Sequence, residues 1–143
     1  MRLQITFLLI TALLMPPLLF AQAVRQPGTP HPIVGKWTWT RAQNKCTEQY
    51  EFRLDGTLRV QSGAERTDNT YEIVSVPDSR GFYQITMKVV KDYGGKDCGD
   101  DESDSTGDEY TNFFLFEPSM SMYIACQQPN LDACFGPLRK MPQ

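Results

Sequence analysis

Apolar and polar residues alternate with a period of two along most of this chain, which is the pattern of β-strands that bury one face. In residues 82–90, Tyr83, Ile85, Met87 and Val89 fall on one side of such a strand, with polar residues between them. Helical periodicity does not extend over any useful length. Strand character is found in residues 33–40, 48–54, 57–61, 70–76, 82–90, 111–117 and 121–126, and 134–138 supplies a possible eighth strand.

These strands are short, consecutive and joined mostly by tight turns. We therefore predict an all-β fold, an antiparallel up-and-down meander of seven to eight strands, closed into a barrel or folded into a sandwich. A barrel is favoured because closure leaves no exposed sheet edge.

The register of the hairpin around Asp55-Gly56 can be predicted. A two-residue loop would pair Phe52 with Arg59 and mix apolar and charged residues on one face. A three-residue loop, Leu54-Asp55-Gly56 with Gly56 left-handed, instead pairs Phe52 with Leu58 and Tyr50 with Val60. We predict the three-residue loop, because it places all four apolar side chains together.

Residues 1–23 have the features of a signal peptide: a basic start, an apolar run and small residues at a cleavage site near Ala23. The apolar run is too short for a membrane span, and Pro16-Pro17 interrupts it. We therefore predict a periplasmic or secreted protein that does not span a membrane. Residues 24–32 are expected to form a flexible proline-rich leader in which His31 is merely solvated, followed by a single β-barrel domain at 33–143.

Four cysteines follow the predicted signal peptide, and an even number in an exported chain of this size predicts two disulfides. Cys126 and Cys134 are close in sequence and could close the last hairpin, which leaves Cys46 with Cys98. The alternative, Cys46 with Cys134 and Cys98 with Cys126, stays open.

The mature chain is mildly acidic. Without Arg2, 13 Lys and Arg residues face 17 Asp and Glu residues, which leaves a net charge of −4. This charge argues against partners such as nucleic acids and anionic lipid surfaces.

Eight of the acids lie in the loop 91–110. Asp100, Glu102 and Asp104 have the spacing that opens a calcium loop, but the glycine falls at the eighth position and Thr111 stands at the twelfth, where calcium loops have glutamate. A solvated loop, or a docking surface for a basic partner, are the other interpretations.

The tripeptide Gly35-Lys36-Trp37, on the first strand of such a meander, resembles the signature of the lipocalins, which are calycin-type β-barrels. The segment "YEFRLDGTLRV" (50–60) is also similar to a hairpin of bacterial lipocalin-like domains. The resemblance implies that Trp37 plugs the closed end of the barrel and that Gly35 lets the chain pass close beneath it. It also implies a late basic side chain over the indole; Arg139 is the nearest candidate, with Lys140 beside it.

A strict meander places all four cysteines and the longer loops at the end opposite Trp37, where ligands enter lipocalin-like barrels. A small apolar molecule bound at this end is our first expectation for function. Side chains that fill the barrel are the alternative to an open interior. The inward residues that would line or fill it are Trp39, Tyr50, Phe52, Tyr83, Ile85, Met87, Phe113 and Met122.

Enzyme chemistry is not indicated, because the domain has no histidine for a nucleophilic triad and no phosphate-binding loop. We expect a non-enzymatic monomer without a cofactor. The second expectation for function is a protein-interaction or inhibitor domain that meets an extracytoplasmic protein through loop 91–110.

Overall fold

The computed structural model describes residues 29–142, which form a closed barrel of eight antiparallel strands. Every strand pairs with its neighbours in sequence, and the first strand pairs with the last. The all-β up-and-down meander predicted from the alternation is therefore confirmed. The strands are β1 (Gly35–Thr40), β2 (Thr47–Phe52), β3 (Thr57–Ser62), β4 (Glu65–Ile73), β5 (Phe82–Asp92), β6 (Glu109–Phe116), β7 (Met122–Cys126) and β8 (Cys134–Lys140).

The β2–β3 hairpin has the predicted register, with Phe52 opposite Leu58 and Tyr50 opposite Val60. Gly56 adopts a φ of 81°, the left-handed conformation that a three-residue loop requires. The Asp55 carboxylate accepts the backbone N–H of Thr57 at 3.0 Å and fixes the turn.

The hydrophobic core occupies one end of the barrel, called here the closed end, which contains Gly35, Phe52 and Lys140. The Trp37 and Phe114 rings both pack against Tyr123, with centroids 4.8 and 4.6 Å apart. Burial of such aromatic groups supplies much of the folding free energy in a domain of this size. The buried core consists of Ile33, Trp37, Phe52, Leu58, Ile85, Phe114, Tyr123, Ala125 and Leu138.

Trp37 is fully buried, and its indole N–H donates to the Ile33 carbonyl at 2.7 Å. The basic residue over the indole is Lys140, whose Nζ lies 5.2 Å from the ring centroid, and not Arg139. The guanidinium of Arg139 contacts the Met122 sulfur on the outside of the barrel. Lys140 faces inward because it pairs directly with Trp37, and alternation then turns Arg139 outward.

Gly35 lies beneath this plug with a φ of 131°, where L-residues are strained. A Cβ at this position would approach Lys140 Cε to 3.1 Å. The close chain passage implied by the Gly-x-Trp tripeptide is therefore present.

His31, expected to be only solvated, packs against the closed end. Its ring meets Tyr83 edge-on at 4.8 Å, and its Nδ1 accepts the Ile33 backbone N–H at 3.1 Å. Partial burial lowers the pKa of His31 below its ordinary value. The alternation of the strands carries no information about a contact made by the segment that precedes them.

Both disulfides are formed, as Cys46–Cys98 and Cys126–Cys134. Cys46 precedes β2, and the Cys98 N–H donates to the hydroxyl of Ser62 at the end of β3. All four cysteines therefore lie at the end opposite Trp37, called here the disulfide-tied end. Two disulfides indicate an oxidising, extracytoplasmic environment.

The predicted signal peptide at 1–23 lies outside the described residues. Across residues 29–142 no helix has the length and apolar character needed to cross a membrane.

Phe113 and Met122 do not point into the barrel as expected. Their neighbours Phe114 and Tyr123 are the buried residues of these strands. The prediction was wrong here because β6 and β7 carry apolar side chains on both faces, so alternation alone cannot identify the inner one.

Candidate functional site

A cavity of about 350 Å³ occupies the disulfide-tied half of the barrel. The inner faces of β2 to β6 form its walls, and loop 93–108 between β5 and β6 closes over part of its mouth. Leu58, Val60, Met87 and Val89 supply apolar wall toward the core. The remaining lining is mostly hydroxyl, amide and carboxyl groups, so the interior changes from apolar to polar along the barrel axis.

Polar side chains are buried where the cavity begins. Glu48, Ser62, Thr67 and Asn69 are each less than one tenth exposed, and all four line the cavity. Burial of such groups is costly unless they find partners. Each of the four has a partner within the barrel, and their concentration at one end makes this the polar half of the interior.

Asn69 and Thr67 lie on the inner face of β4. The Asn69 amide Nδ2 donates to the Thr67 hydroxyl at 2.9 Å and to the Leu58 carbonyl at 3.3 Å. Within residues 29–142 no donor is bonded to the Asn69 Oδ1, although the residue is only 6 % exposed. A hydrogen-bond acceptor is therefore left for an occupant of the cavity.

Glu48 is anchored from two sides. Tyr50 donates its hydroxyl to Glu48 Oε2 at 2.6 Å, and Arg41 Nε lies 3.8 Å from Oε1. Burial, together with the Glu48 carboxylate, raises the pKa of Tyr50 well above its ordinary value. Tyr50 is therefore a neutral donor at physiological pH.

Loop 93–108 is held to the barrel by backbone and disulfide bonds. Cys98 is tied to Cys46, and its carbonyl accepts from Arg41 and from the Asn44 amide. The Asp97 carboxylate accepts the N–H groups of Gly99 and Asp101, each at 2.7 Å. This acidic loop is consequently a structured rim of the cavity.

The rim divides the acids of the loop into two groups. Asp97, Asp101 and Asp108 line the cavity, Asp97 half-buried and the other two exposed at its mouth, whereas Glu102 and Asp104 are exposed and do not line it. The cavity carries negative charge from the strands as well, through Glu48 and Glu65.

Glu65, at the start of β4, is electrostatically the most perturbed acid of the site. Burial and the neighbouring charges of Asp92 and Asp97 raise the pKa of Glu65 to about 7. The pKa of Asp92 is lowered instead, because its carboxylate accepts the backbone N–H groups of Ser105 and Gly94. Near pH 7 Glu65 is therefore about half protonated, whereas Asp92 stays ionised.

The residues predicted to line the interior are divided among different regions. Tyr50 and Met87 line the cavity. Phe52 and Ile85 belong to the packed core, and Tyr83 contacts His31 at the closed end. The ligand-binding role predicted for these residues stays a prediction.

Trp39 borders a separate surface groove of about 760 Å³ between β1 and β8. These two strands pair only at Trp37–Lys140 and Thr38–Arg139 and diverge above. The Trp39 and Phe135 rings pack together between the diverging strands, with their centroids 5.2 Å apart.

The residues that the sequence predicts to line the interior do not include the polar residues of the cavity, because that prediction was based on apolar side chains. A signal for two of them exists: Thr67 and Asn69 continue the inward alternation of Tyr71 and Ile73 toward the start of β4. The strand was predicted to begin at Thr70, so Thr67 and Asn69 fell outside it and were not recognised as inward residues.

Asp100, Glu102 and Asp104, the calcium candidates, are exposed, and Asp104 accepts the Thr106 N–H at 2.9 Å. Over the described part of the chain, no group of three His, Cys, Asp or Glu side chains is placed to hold a metal ion.

Comparisons with protein-family models, with curated proteins and with solved structures find no match to this chain.

Proposed function

We propose that the chain is an exported, non-enzymatic, lipocalin-like binding protein that holds a small ligand in the cavity of its disulfide-tied end. The observation that carries the proposal is the group of buried polar side chains around a cavity of about 350 Å³. Cavities of this size, with a few convergent polar groups, are typical of small-molecule sites. The Cys46–Cys98 disulfide holds the rim loop in place, which lowers the entropic cost of binding.

The lining favours a polar or amphipathic ligand over the wholly apolar molecule expected from the sequence. An apolar molecule would leave Asn69 and the surrounding carboxyl groups without partners at a cost of about 1–3 kcal/mol for each polar group. The apolar wall of Leu58, Val60 and Val89 could still hold the hydrocarbon part of such a ligand.

The proposal of a non-enzymatic role rests on the groups available for catalysis. The one histidine is at the closed end, and all four cysteines are in disulfides. Nucleophile and base pairs of the usual kinds cannot therefore form around this cavity. The Ser105 hydroxyl donates to the Asp92 carboxylate at 3.0 Å, but within the described residues no histidine or free thiol lies beside it to complete a catalytic set of the usual kind.

A second candidate function is protein interaction through loop 91–110. The specific support for it is that Asp100, Glu102 and Asp104 are exposed on the loop surface, where they would meet a basic partner. The proposal of a monomer is compatible with either function.

Replacing Asn69 by Leu tests the binding function. The substitution removes a cavity acceptor and takes the donor away from the Thr67 hydroxyl and the Leu58 carbonyl, so the free protein should stay folded but lose about 1–3 kcal/mol, whereas ligand binding should be lost. Thermal-shift screening of amines, carboxylates, sugars and fatty acids against both proteins provides the measurement, since a ligand at 100 times its Kd stabilises by about 2.7 kcal/mol.

Thr70→Val, on the exposed face of the same strand, is the matched control and should bind like the wild type. Equal stabilisation of wild type and Asn69→Leu by every compound that binds would contradict a ligand site at this cavity.

A further inference from the structure

Resting on the proposed function, we infer that the ligand of this cavity is a small organic amine, bound through its protonated ammonium group with a short apolar body against the inner wall. The inference follows from charge, from hydrogen-bonding capacity and from the order of the groups along the cavity.

The charge of the lining has one sign. Of the 17 residues around the cavity, five are acidic and, within the described chain, none is Lys, Arg or His. Among the described residues, the one ion pair within 4 Å that a lining carboxylate makes is that of Glu48 with Arg41, at 3.8 Å. Carboxylates in a concave, partly desolvated site focus a negative potential that attracts cations and repels anions.

Several hydroxyl donors of the cavity are already used within the protein, since Ser103, Ser105 and Tyr110 each donate to a neighbouring carboxylate. Asn69 is only 6 % exposed and its amide protons go to Thr67 and Leu58, while within residues 29–142 no donor is bonded to its Oδ1. An ammonium group has three donors and no acceptor, so it complements such a set. A carboxylate or phosphate ligand presents mainly acceptor oxygens, which could not hydrogen-bond to the acceptor oxygens of the cavity.

The groups are ordered from the mouth inward. Glu65, Asp97 and Asp108 lie around the rim. Asn69 lies at the level of Leu58 and Val89, its register partners on β3 and β5, and Met87 lies one pair further toward the core. A ligand with its charged head among the rim carboxylates and its hydrocarbon body beside Leu58, Val89 and Met87 matches this arrangement. A bare metal ion does not, because the described residues contain no metal-ligating cluster.

The proton on Glu65 provides further support. The groups that face Glu65 are Asp92 of β5, Asp97 and Asp101 of the loop and Tyr110 of β6, and none of them is cationic. A cation placed there would favour the ionised form of Glu65 and release its proton. Binding should therefore tighten as the pH rises from 6 to 8.

The test is isothermal titration calorimetry of the mature protein at pH 8 with phenethylamine and with 2-phenylethanol, which has nearly the same shape without the charge. We expect the amine to bind at least tenfold more tightly than the alcohol. 3-Phenylpropanoate, which is anionic, should not bind, and CaCl2 alone should neither bind nor displace the amine.

Two double variants remove the same number of charges from this region. Glu65→Gln/Asp108→Asn, within the cavity lining, should weaken phenethylamine binding at least tenfold and leave 2-phenylethanol within twofold. Glu102→Gln/Asp104→Asn, on the exposed part of the loop, should change amine binding less than threefold. Circular dichroism and urea unfolding establish that both variants are folded.

Equal affinities for the amine and the alcohol, tight binding of the anion, or displacement of the amine by calcium would overturn the inference and leave the proposed binding function standing. Equal weakening by the two double variants would also overturn it, since only bulk charge would then matter. Should no compound of any charge bind, the proposed function itself fails.

Discussion

The two halves of this barrel are built from the same eight strands but are filled in opposite ways. At the closed end, Trp37, Phe114 and Tyr123 pack together with ring centroids under 5 Å from Tyr123, and Lys140 covers the indole. At the disulfide-tied end, Glu48 and Asn69 are buried around a cavity instead. The comparison indicates that the closed end supplies most of the packing, and under the proposed function the other end gives up packing in order to bind a ligand.

The positions of the two disulfides follow the same difference between the two ends of the barrel. A region with a cavity and many carboxylates contributes less hydrophobic stabilisation and more charge repulsion than a packed one. Cys46–Cys98 and Cys126–Cys134 both lie in that region, where cross-links offset the missing core.

The largest expected effect comes from the packed half. Phe114→Ala should lower the free energy of unfolding by about 3–5 kcal/mol, because it leaves a void between Phe52 and Tyr123. Urea unfolding is the measurement. Phe113→Ala, at the neighbouring half-buried position, is the control and should cost about 1 kcal/mol or less. A larger loss at Phe113 than at Phe114 would reverse our assignment of the inner face of β6.

The next effect concerns the cross-links. Replacing Cys46 and Cys98 together by Ser should lower the free energy of unfolding by about 4 kcal/mol, because this disulfide closes a 52-residue segment. The same change at Cys126 and Cys134 should cost about 2.5 kcal/mol, since it opens only an eight-residue segment. If loss of Cys126–Cys134 lowered the free energy of unfolding more than loss of Cys46–Cys98, the disulfides would not stabilise this end by restricting the entropy of the denatured state.

A smaller effect on stability is expected from the basic residue that covers Trp37 at the closed end. Lys140→Ala should destabilise by about 1–2 kcal/mol, since it removes the cation over Trp37 and the 3.1 Å hydrogen bond from Nζ to the Pro32 carbonyl. Arg139→Ala, on the outer face, should stay within about 0.5 kcal/mol of the wild type. Thermal unfolding of both variants decides between the two basic residues, and a greater loss for Arg139 would refute the assignment to Lys140.

The smallest effects are those of pH, and the two halves should differ in their sign. At the cavity, the raised pKa of Glu65 means that the folded protein binds more protons than the unfolded chain between about pH 4.5 and 7, so this residue lowers stability as the pH rises through that range. Glu65→Gln should gain stability relative to wild type over the same range. At the closed end, the lowered pKa of His31 means that stability is lost as the pH falls below about 6.5.

Both pH effects can be measured by urea unfolding between pH 5 and 8. His31→Asn keeps an acceptor for the Ile33 N–H and should lose less stability than wild type on going from pH 7 to 5. If the two variants showed the wild-type pH dependence, neither group would titrate differently in the folded and unfolded chains.

Most of the fold could be predicted from the sequence because one physical pattern determines it. The alternation of apolar and polar residues predicted the strands. The requirement that Phe52, Leu58 and Tyr50 lie on one face predicted the β2–β3 register. The same pattern failed at Phe113 and Met122, where both faces of the strand are apolar.

The candidate site was harder to predict, because it is made of residues that break the apolar pattern. Asn69 and Thr67 are inward but polar, and they lie at a strand start that reads as a loop. The pairing of Asp92 with Glu65 joins residues that are far apart in the chain, so only the three-dimensional arrangement reveals it.

The central claim, that one half of the barrel binds and the other only packs, is tested most directly by a two-dimensional 1H–15N NMR titration of the mature protein with phenethylamine at pH 8. We predict that the backbone amides of Glu65, Thr67, Asn69 and Tyr110 shift in a saturable manner while the Trp37 indole N–H stays in place. Shifts centred on Trp37, or confined to the exposed residues Asp100 to Asp104, would contradict the account.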